Sequence, residues 1–508
     1  MNISTFQTAD VMTAPHNKCC RAFVIIGIMI LITILCYFAV LYGVSRWTAR
    51  RATNASFYRA DRQSPWYMVA FGMVGASISG VTFVSVPGMV LQTQMTYLQM
   101  CMGFILGYVV VAFVLLPLYY RLNLTSIYGF LSQRLGRRSY KTGASFFLLS
   151  KMLGAAVRFY VVCIILQRFV FEPVGVPFAV TVSLLVLLIW LYTRRGGIKT
   201  LVWTDSLQTV CLFTALLLII YKVATDLNLT AGEAVAAVRG SELSRVLVFD
   251  DAVSKQYFWK QFLSGVFIVL VMTGVDQDMM QKNLTCKTLR GAKKDMCTYG
   301  VAFLPANLLF LALGVLLTLW YQRQGVALPA NGDDLLPAYV STFLAGGDSF
   351  AVIPALFALG IVAASFSSAD SALTSLTTIY CVDIREHTAD ERLRKRVHLV
   401  MCGLFVLFIL LFRAVNSTSL IDAVYIIASY TYGPLLGLFA YGLLTKRQVN
   451  DRVVPYVAVA SPLLCYAIDY GVGQATGYRF GYELLMLNAT LTYLGLLMFR
   501  GNRKTANA

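Results

Sequence analysis

Four ionisable residues, Arg158, Asp205, Asp276 and Asp370, lie inside long apolar runs. A charge at bilayer depth costs about 3 kcal/mol or more, so each marks a functional position. Asp370 sits in the run Ala363-Ala-Ser-Phe-Ser-Ser-Ala-Asp-Ser371-Ala-Leu-Thr-Ser375, where Ala364, Ser367, Ser368 and Ser371 share one helical face by their spacing of three and four. Hydroxyls and opened backbone carbonyls are hard oxygen ligands that suit an alkali cation such as Na⁺. The competing reading is that these hydroxyls bond back to the carbonyl four residues earlier, as they do in many membrane helices.

A second unusual stretch, Gly72 to Gly88, holds four glycines, three serines, a threonine and a proline. Regular helix is not expected to persist through it. The same holds at Thr273-Gly-Val-Asp-Gln-Asp278. Interrupted helices expose carbonyls and half-helix ends at mid-membrane, where they bind ions and solutes. Close helix packing through small residues is the plainer alternative.

The elements that would carry these residues follow from composition. The chain has 508 residues, 58% hydrophobic and 13% charged, with mean hydropathy +0.70, against about 25% charged in ordinary globular domains. Apolar windows predict thirteen helical spans near 22–44, 65–91, 97–120, 143–171, 176–192, 200–222, 258–280, 295–320, 350–383, 397–414, 418–444, 453–470 and 481–499. One membrane domain, 1–508, is expected. Within it the helix 22–44 precedes two blocks of five spans, 65–222 and 258–444, each opened by an interrupted helix, and two helices in 453–499 follow. Five is odd, so the second block enters the membrane in the opposite sense to the first.

The net charge of +18 comes from 42 Lys and Arg against 24 Asp and Glu. With the N-terminus outside, 29 of the 42 basic residues fall in inner loops, as the positive-inside rule demands. The excess charge therefore fixes topology, with the C-terminus inside, and faces anionic lipid of the inner leaflet; nucleic acid is excluded as a partner. The stretch Thr125 to Tyr140 places Tyr128, Leu131 and Leu135 on one face and Arg134, Arg137 and Arg138 on another, predicting an interfacial helix. Most of the eleven cysteines sit in apolar runs, so no disulfide framework is expected; Cys19 and Cys20 precede the first span without an evident role. The three histidines, His16, His387 and His398, give no transition-metal spacing, and no nucleophile and base pair lies in a span, so an enzyme is not expected. The tail Gly501 to Ala508 leads us to expect no soluble output domain, which disfavours a membrane sensor.

Four stretches resemble the sodium/solute symporter family over nearly the whole chain. They are Thr125-Ser-Ile-Tyr-Gly-Phe-Leu-Ser-Gln-Arg-Leu-Gly136; Gly196-Gly-Ile-Lys with Trp203-Thr-Asp205 and Gln208; Asp276-Gln277 with Gln281-Lys-Asn-Leu284 and Lys287; and Ser367-Ser-Ala-Asp-Ser371 closing at Asp383-Ile384. Tyr432-Gly-Pro-Leu-Leu436 is a weaker fifth. The resemblance implies an all-α, leucine-transporter-like five-plus-five fold that couples Na⁺ to a small solute, in the inner cell membrane and working as a monomer, with no cofactor beyond the coupling ion. It implies one Na⁺ site from the carbonyls of Gly75, Ile78 and Ala364 with the hydroxyls of Ser367 and Ser368, and a second from Asp205, Ser367, Asp370 and Ser371. Asp370 departs from the hydroxyl residue of some members. Ligation of Na⁺, proton carriage and pairing with a buried base are all open to it.

The solute lining the resemblance implies is Ser77, Ser79, Thr82, Gln99, Cys101, Met272, Thr273 and Ile426. Apolar Met272 and Ile426 leave few partners for a sugar's hydroxyls, and an unpaired buried hydroxyl costs a few kcal/mol. Arg158 offers a fork that grips a carboxylate bidentately, or forms a structural ion pair with a membrane aspartate. Lys151, seven residues earlier, is expected near the inner interface. A sialic acid or a monocarboxylate is the preferred solute; a neutral sugar, amino acid or vitamin is the alternative.

Overall fold

The computed structural model describes residues 16–50, 53–345, 352–415, 420–478 and 480–499, and among these it is helical with no strand. In chain order the long elements are α1 (His16–Thr48), the bent pair α2 (Trp66–Ser77) and α3 (Gly80–Thr93), α4 (Tyr97–Arg121), α5 (Arg137–Val174), α6 (Phe178–Gly196) and α7 (Ile198–Asp226). There follow a second bent pair, α8 (Phe258–Gly274) and α9 (Gln277–Asn283), then α10 (Leu289–Gln324), α11 (Val352–Ile384), α12 (Glu391–Val415), α13 (Leu420–Leu444), α14 (Val454–Thr476) and α15 (Leu484–Met498).

Ten helices among the described residues are long and apolar enough to cross a membrane, and twelve spans result if each bent pair counts as one. Of the thirteen spans expected, 481–499 appears only as the shorter apolar helix α15 of 15 residues. Phe113, Leu407 and Leu463 are among the large side chains exposed on the outer surface of the bundle, where lipid would satisfy them. The nine described cysteines are free; the side chains of Cys19 and Cys20 lie outside the described ones.

Both expected interruptions are present. α2 and α3 meet at 62°, with Ile78 (φ −84°, ψ 100°) and Ser79 (φ −90°, ψ 174°) extended between them. α8 and α9 meet at 70°. The second break is stabilised locally: Asp276 caps α9, accepting from the amides of Asp278 at 2.8 Å and Met279 at 3.3 Å. The carbonyls left over at the end of α8 are met by tyrosines, Tyr119 donating to Gly274 O and Tyr128 to Val275 O, each at 2.8 Å.

Small residues also do what the plainer reading asked of them. A Cβ on Gly75 would sit 1.9 Å from Thr209 Oγ1, and one on Gly80 2.2 Å from Ser365 Oγ. The backbones of α4 and α8 touch in the same way, since Cβ atoms on Gly103 and Gly265 would lie 2.0 Å from Phe262 O and 2.2 Å from Met100 O.

The stretch 125–140 departs from expectation. Its own helix is the short Gly129–Arg134, residues 137–140 already belong to α5, and Tyr128 and Leu131 are fully buried within the protein instead of meeting lipid. The reason is that Tyr128 is held by the α8 break and packs beside Phe147 and Phe439, while Gln277 pins the preceding loop through Ile127 N (2.9 Å) and Thr125 O (3.1 Å).

Candidate functional site

The two breaks open on a shared cavity of about 120 Å³, room for an organic solute and not merely a single water. Its wall includes Ser77, Ser79, Thr82, Arg158, Met272 and Thr273, all six expected from sequence. Aromatic residues not expected to line it are also there: Tyr97, Phe104, Tyr108, Tyr299, Phe303 and Tyr425, together with Tyr432 of the fifth stretch. Ser77 hydrogen-bonds Tyr299, and Tyr108 donates to Tyr299 at 2.8 Å.

Three expected lining residues are not brought to this cavity. Gln99 is committed to the outer loop, donating to Gln256 O at 2.9 Å and accepting from Val248 N at 3.0 Å. Cys101 is buried on another side of α4. Ile426 points outward, 48% exposed, while Val424, Tyr425, Ile427 and Ala428 face inward. The register of α13 decides this. The cavity is consequently richer in hydroxyls than Met272 and Ile426 suggested, so the argument against a polyhydroxylated solute loses one of its two supports.

Charge at the cavity is arranged asymmetrically. Lys151 is buried at its wall, correcting its expected place at the inner interface; its Nζ lies 3.2 Å from Asp276 Oδ2 and 2.7 Å from Asp278 Oδ2. Tyr432 adds a 2.6 Å bond to Asp276 Oδ2. Lys282, one of the 29 basic residues that the charge bias assigns to inner loops, is fully buried with Nζ 2.8 Å from Asp205 Oδ2. Asp370 accepts from Tyr192 at 2.7 Å. Arg158 stands apart: it is half-buried in the cavity wall, and no carboxylate pairs with it among the described residues. The structural ion pair that was its alternative role is therefore absent there.

The serines of α11 reach the α2 break. Ser368 Oγ donates to Ala76 O at 2.9 Å and also approaches Ala364 O at 3.3 Å. Ile78 lies at the break itself, and Gly75 sits one turn before it against Thr209. Ser367 turns the other way and donates to Asp205 Oδ1 at 2.8 Å. Ser371 approaches Asp370 Oδ1 at 3.3 Å. Ser368 of α11 thus meets the α2 break, while Ser367 is joined to Asp205 of α7. No group of three or more His, Cys, Asp or Glu placed to hold a metal ion occurs among the described residues.

Lys151, Asp278 and Lys282 were not assigned to the site because their partners come from other helices: Lys151 of α5 meets Asp278 of α9, and Lys282 of α9 meets Asp205 of α7.

Comparison with known proteins places the chain in a family. The sodium:solute symporter family model matches residues 57–452. The chain is 25% identical to the sodium/sialic acid symporter NanT of Aliivibrio fischeri over 94% of each chain. It is 24% identical to the sodium/sialic acid symporter SiaT of Proteus mirabilis, covering 83% of this chain and 85% of that one. It is also 24% identical to the sodium-coupled monocarboxylate transporter 2 of Bos taurus, covering 78% and 64%. Among solved structures, a substrate-bound, outward-open Na⁺-coupled sialic acid symporter superposes with a TM-score of 0.79 at 20% identity, over 92% of this chain and 97% of that one. With a leucine-transporter-like fold broken at two facing helices and a family match across most of its length, the chain belongs to the sodium:solute symporter family and is a multi-pass, Na⁺-coupled transporter of a small solute.

Proposed function

We propose that this protein uses the Na⁺ gradient to accumulate a carboxylate-bearing solute, a sialic acid or a monocarboxylate, with Arg158 as its clamp. One observation carries the reading: Arg158 is the cation at the cavity wall without a protein carboxylate among the described residues, whereas Lys151 is matched by Asp276 and Asp278. A half-buried guanidinium in that position favours an anion that brings two oxygens in one plane. The names of the relatives, sialic acid and monocarboxylate transporters, support the same class. The tyrosine hydroxyls around the cavity favour a hydroxylated acid over a plain short one, and a neutral solute would leave Arg158 unmatched.

Na⁺ enters at the carbonyls of Gly75, Ile78 and Ala364 with the hydroxyls of Ser367 and Ser368; the second oxygen-rich group is Asp205, Ser367, Asp370 and Ser371. The blocks 65–222 and 258–444 act as inverted repeats, with 22–44 and 453–499 as additions. The protein sits in the cell membrane with its N-terminus outside and its C-terminus cytoplasmic, against an anionic inner leaflet, and works as a monomer. Each bent pair opens a run of five long helices, α2 to α7 and α8 to α13, which supports the repeat assignment.

The test is uptake into proteoliposomes of N-acetylneuraminate and of lactate, with inward Na⁺ or K⁺ gradients. Na⁺-dependent uptake of either acid, abolished by Arg158→Gln, is expected. Na⁺-driven uptake of a neutral sugar in preference to both would overturn the carboxylate reading.

A further inference from the structure

The Asp205 cluster is built like a cation site and already contains a cation. Asp205, Asp370, Lys282 and Tyr192 are each no more than 1% exposed. Of the Asp205 carboxylate, Oδ1 takes the Ser367 hydroxyl at 2.8 Å and Oδ2 faces Lys282 Nζ at 2.8 Å. Asp370 turns its Oδ2 to the Tyr192 hydroxyl at 2.7 Å and its Oδ1 toward Ser371 at 3.3 Å.

We propose that the Lys282 ammonium is the resident cation of this cluster, so that each chain binds one Na⁺, at the Ser368 group. The proposal deepens the transport reading above and rests on it only for the use of Na⁺.

An ammonium and a dehydrated Na⁺ compete for the same thing, carboxylate oxygens in a water-poor chamber. The difference is the tether. Lys282 rides on α9, a seven-residue helix fixed at its start by the Asp276 cap and held from its flank by Gln281, which donates to Tyr58 O at 2.8 Å and Thr378 Oγ1 at 3.1 Å. So held, the amine does not need to be recruited from solution and pays little ordering entropy. A Na⁺ arriving at Asp205 would find that carboxylate neutralised and a like charge a few ångströms away, in a medium where Coulomb terms are barely screened. Removing the amine reverses the balance: two buried carboxylates without a counter-charge are costly, and a small cation that matches them is then strongly favoured.

The lysine also changes what the Ser367 hydroxyl does. It points at Asp205, and its neighbour Ser368 bonds at the α2 break. The tethered charge therefore sets one ligand of the adjacent Na⁺ group without itself dissociating.

The experiment counts Na⁺ on the purified full-length chain, with choline as the background cation, by equilibrium binding of ²²Na⁺. The wild type is expected to saturate at one Na⁺ per chain with a Hill coefficient near one. Lys282→Ala is expected to bind two, with a Hill coefficient rising toward two and a melting temperature that now depends steeply on Na⁺ but not on K⁺. Lys282→Arg, which keeps the charge, should remain at one. Two Na⁺ on the wild type would overturn the proposal whether or not any variant folds. So would a monodisperse Lys282→Ala that still binds one. No saturable Na⁺ binding at all would overturn it together with the sodium coupling on which it rests.

Discussion

At the residue scale, one arginine and one serine should separate binding of the solute from binding of the ion. Arg158→Lys keeps the charge but loses the planar fork, so initial uptake of the preferred acid should fall about tenfold or more, with unchanged yield of folded protein. Ser368→Ala removes one of the hydroxyls proposed to hold Na⁺, worth about 1 kcal/mol, which should raise the half-saturating Na⁺ several-fold and leave the melting temperature in choline nearly unchanged. Lys151 behaves differently because it serves two carboxylates, Asp276 and Asp278. Lys151→Met strands both and should cost about 3–5 kcal/mol of stability, seen as loss of monodisperse protein; adding Asp278→Asn should recover part of it. None of these roles follows from residue type alone. Arg158 and Lys151 lie seven residues apart on one helix, yet only the position of α9 shows that one is matched by protein carboxylates and the other faces the cavity.

At the element scale, the broken helices and the glycine contacts work together. α4 and α8 meet backbone to backbone at Gly103 and Gly265, and α8 is the helix whose far end breaks at Val275 and Asp276. Gly103→Val would force these helices apart against a rigid carbonyl, and a loss of thermal stability of several degrees, measured in detergent, is expected. Glu386 follows the end of α11 and bridges to Lys141 at 2.5 Å and Arg137 at 3.2 Å. These contacts, the Lys141 bond foremost, hold its carboxyl below the usual glutamate range. A depressed carboxylate stabilises the fold above its unfolded-state value and stops doing so as pH falls through its folded one. Since Glu386 is exposed, Glu386→Gln should move the acid limb of a thermal-stability profile only slightly.

At the scale of the whole molecule, solute binding should bring the facing breaks together, and a thermal-shift screen in Na⁺ against acidic sugars, monocarboxylates, amino acids and neutral sugars should rank the acids first. Single cysteines placed at Lys446 and at Arg239 should react with a membrane-impermeant reagent from the inside and the outside respectively, which checks the orientation. Hydropathy and the interrupted stretches were sufficient to lay out the twelve apolar spans found among the described residues and both breaks, because the bilayer punishes unpaired backbone and charge so heavily that few alternatives survive. Register was beyond them: Ile426 turned outward and Gln99 went to a loop, since which flank of a helix meets a cavity depends on its neighbours. The pairing of buried charges was beyond them too. Lys282 reads as a cytoplasmic lysine until α9 folds back and carries it to Asp205, a contact between residues 77 positions apart in sequence that only the packed bundle creates.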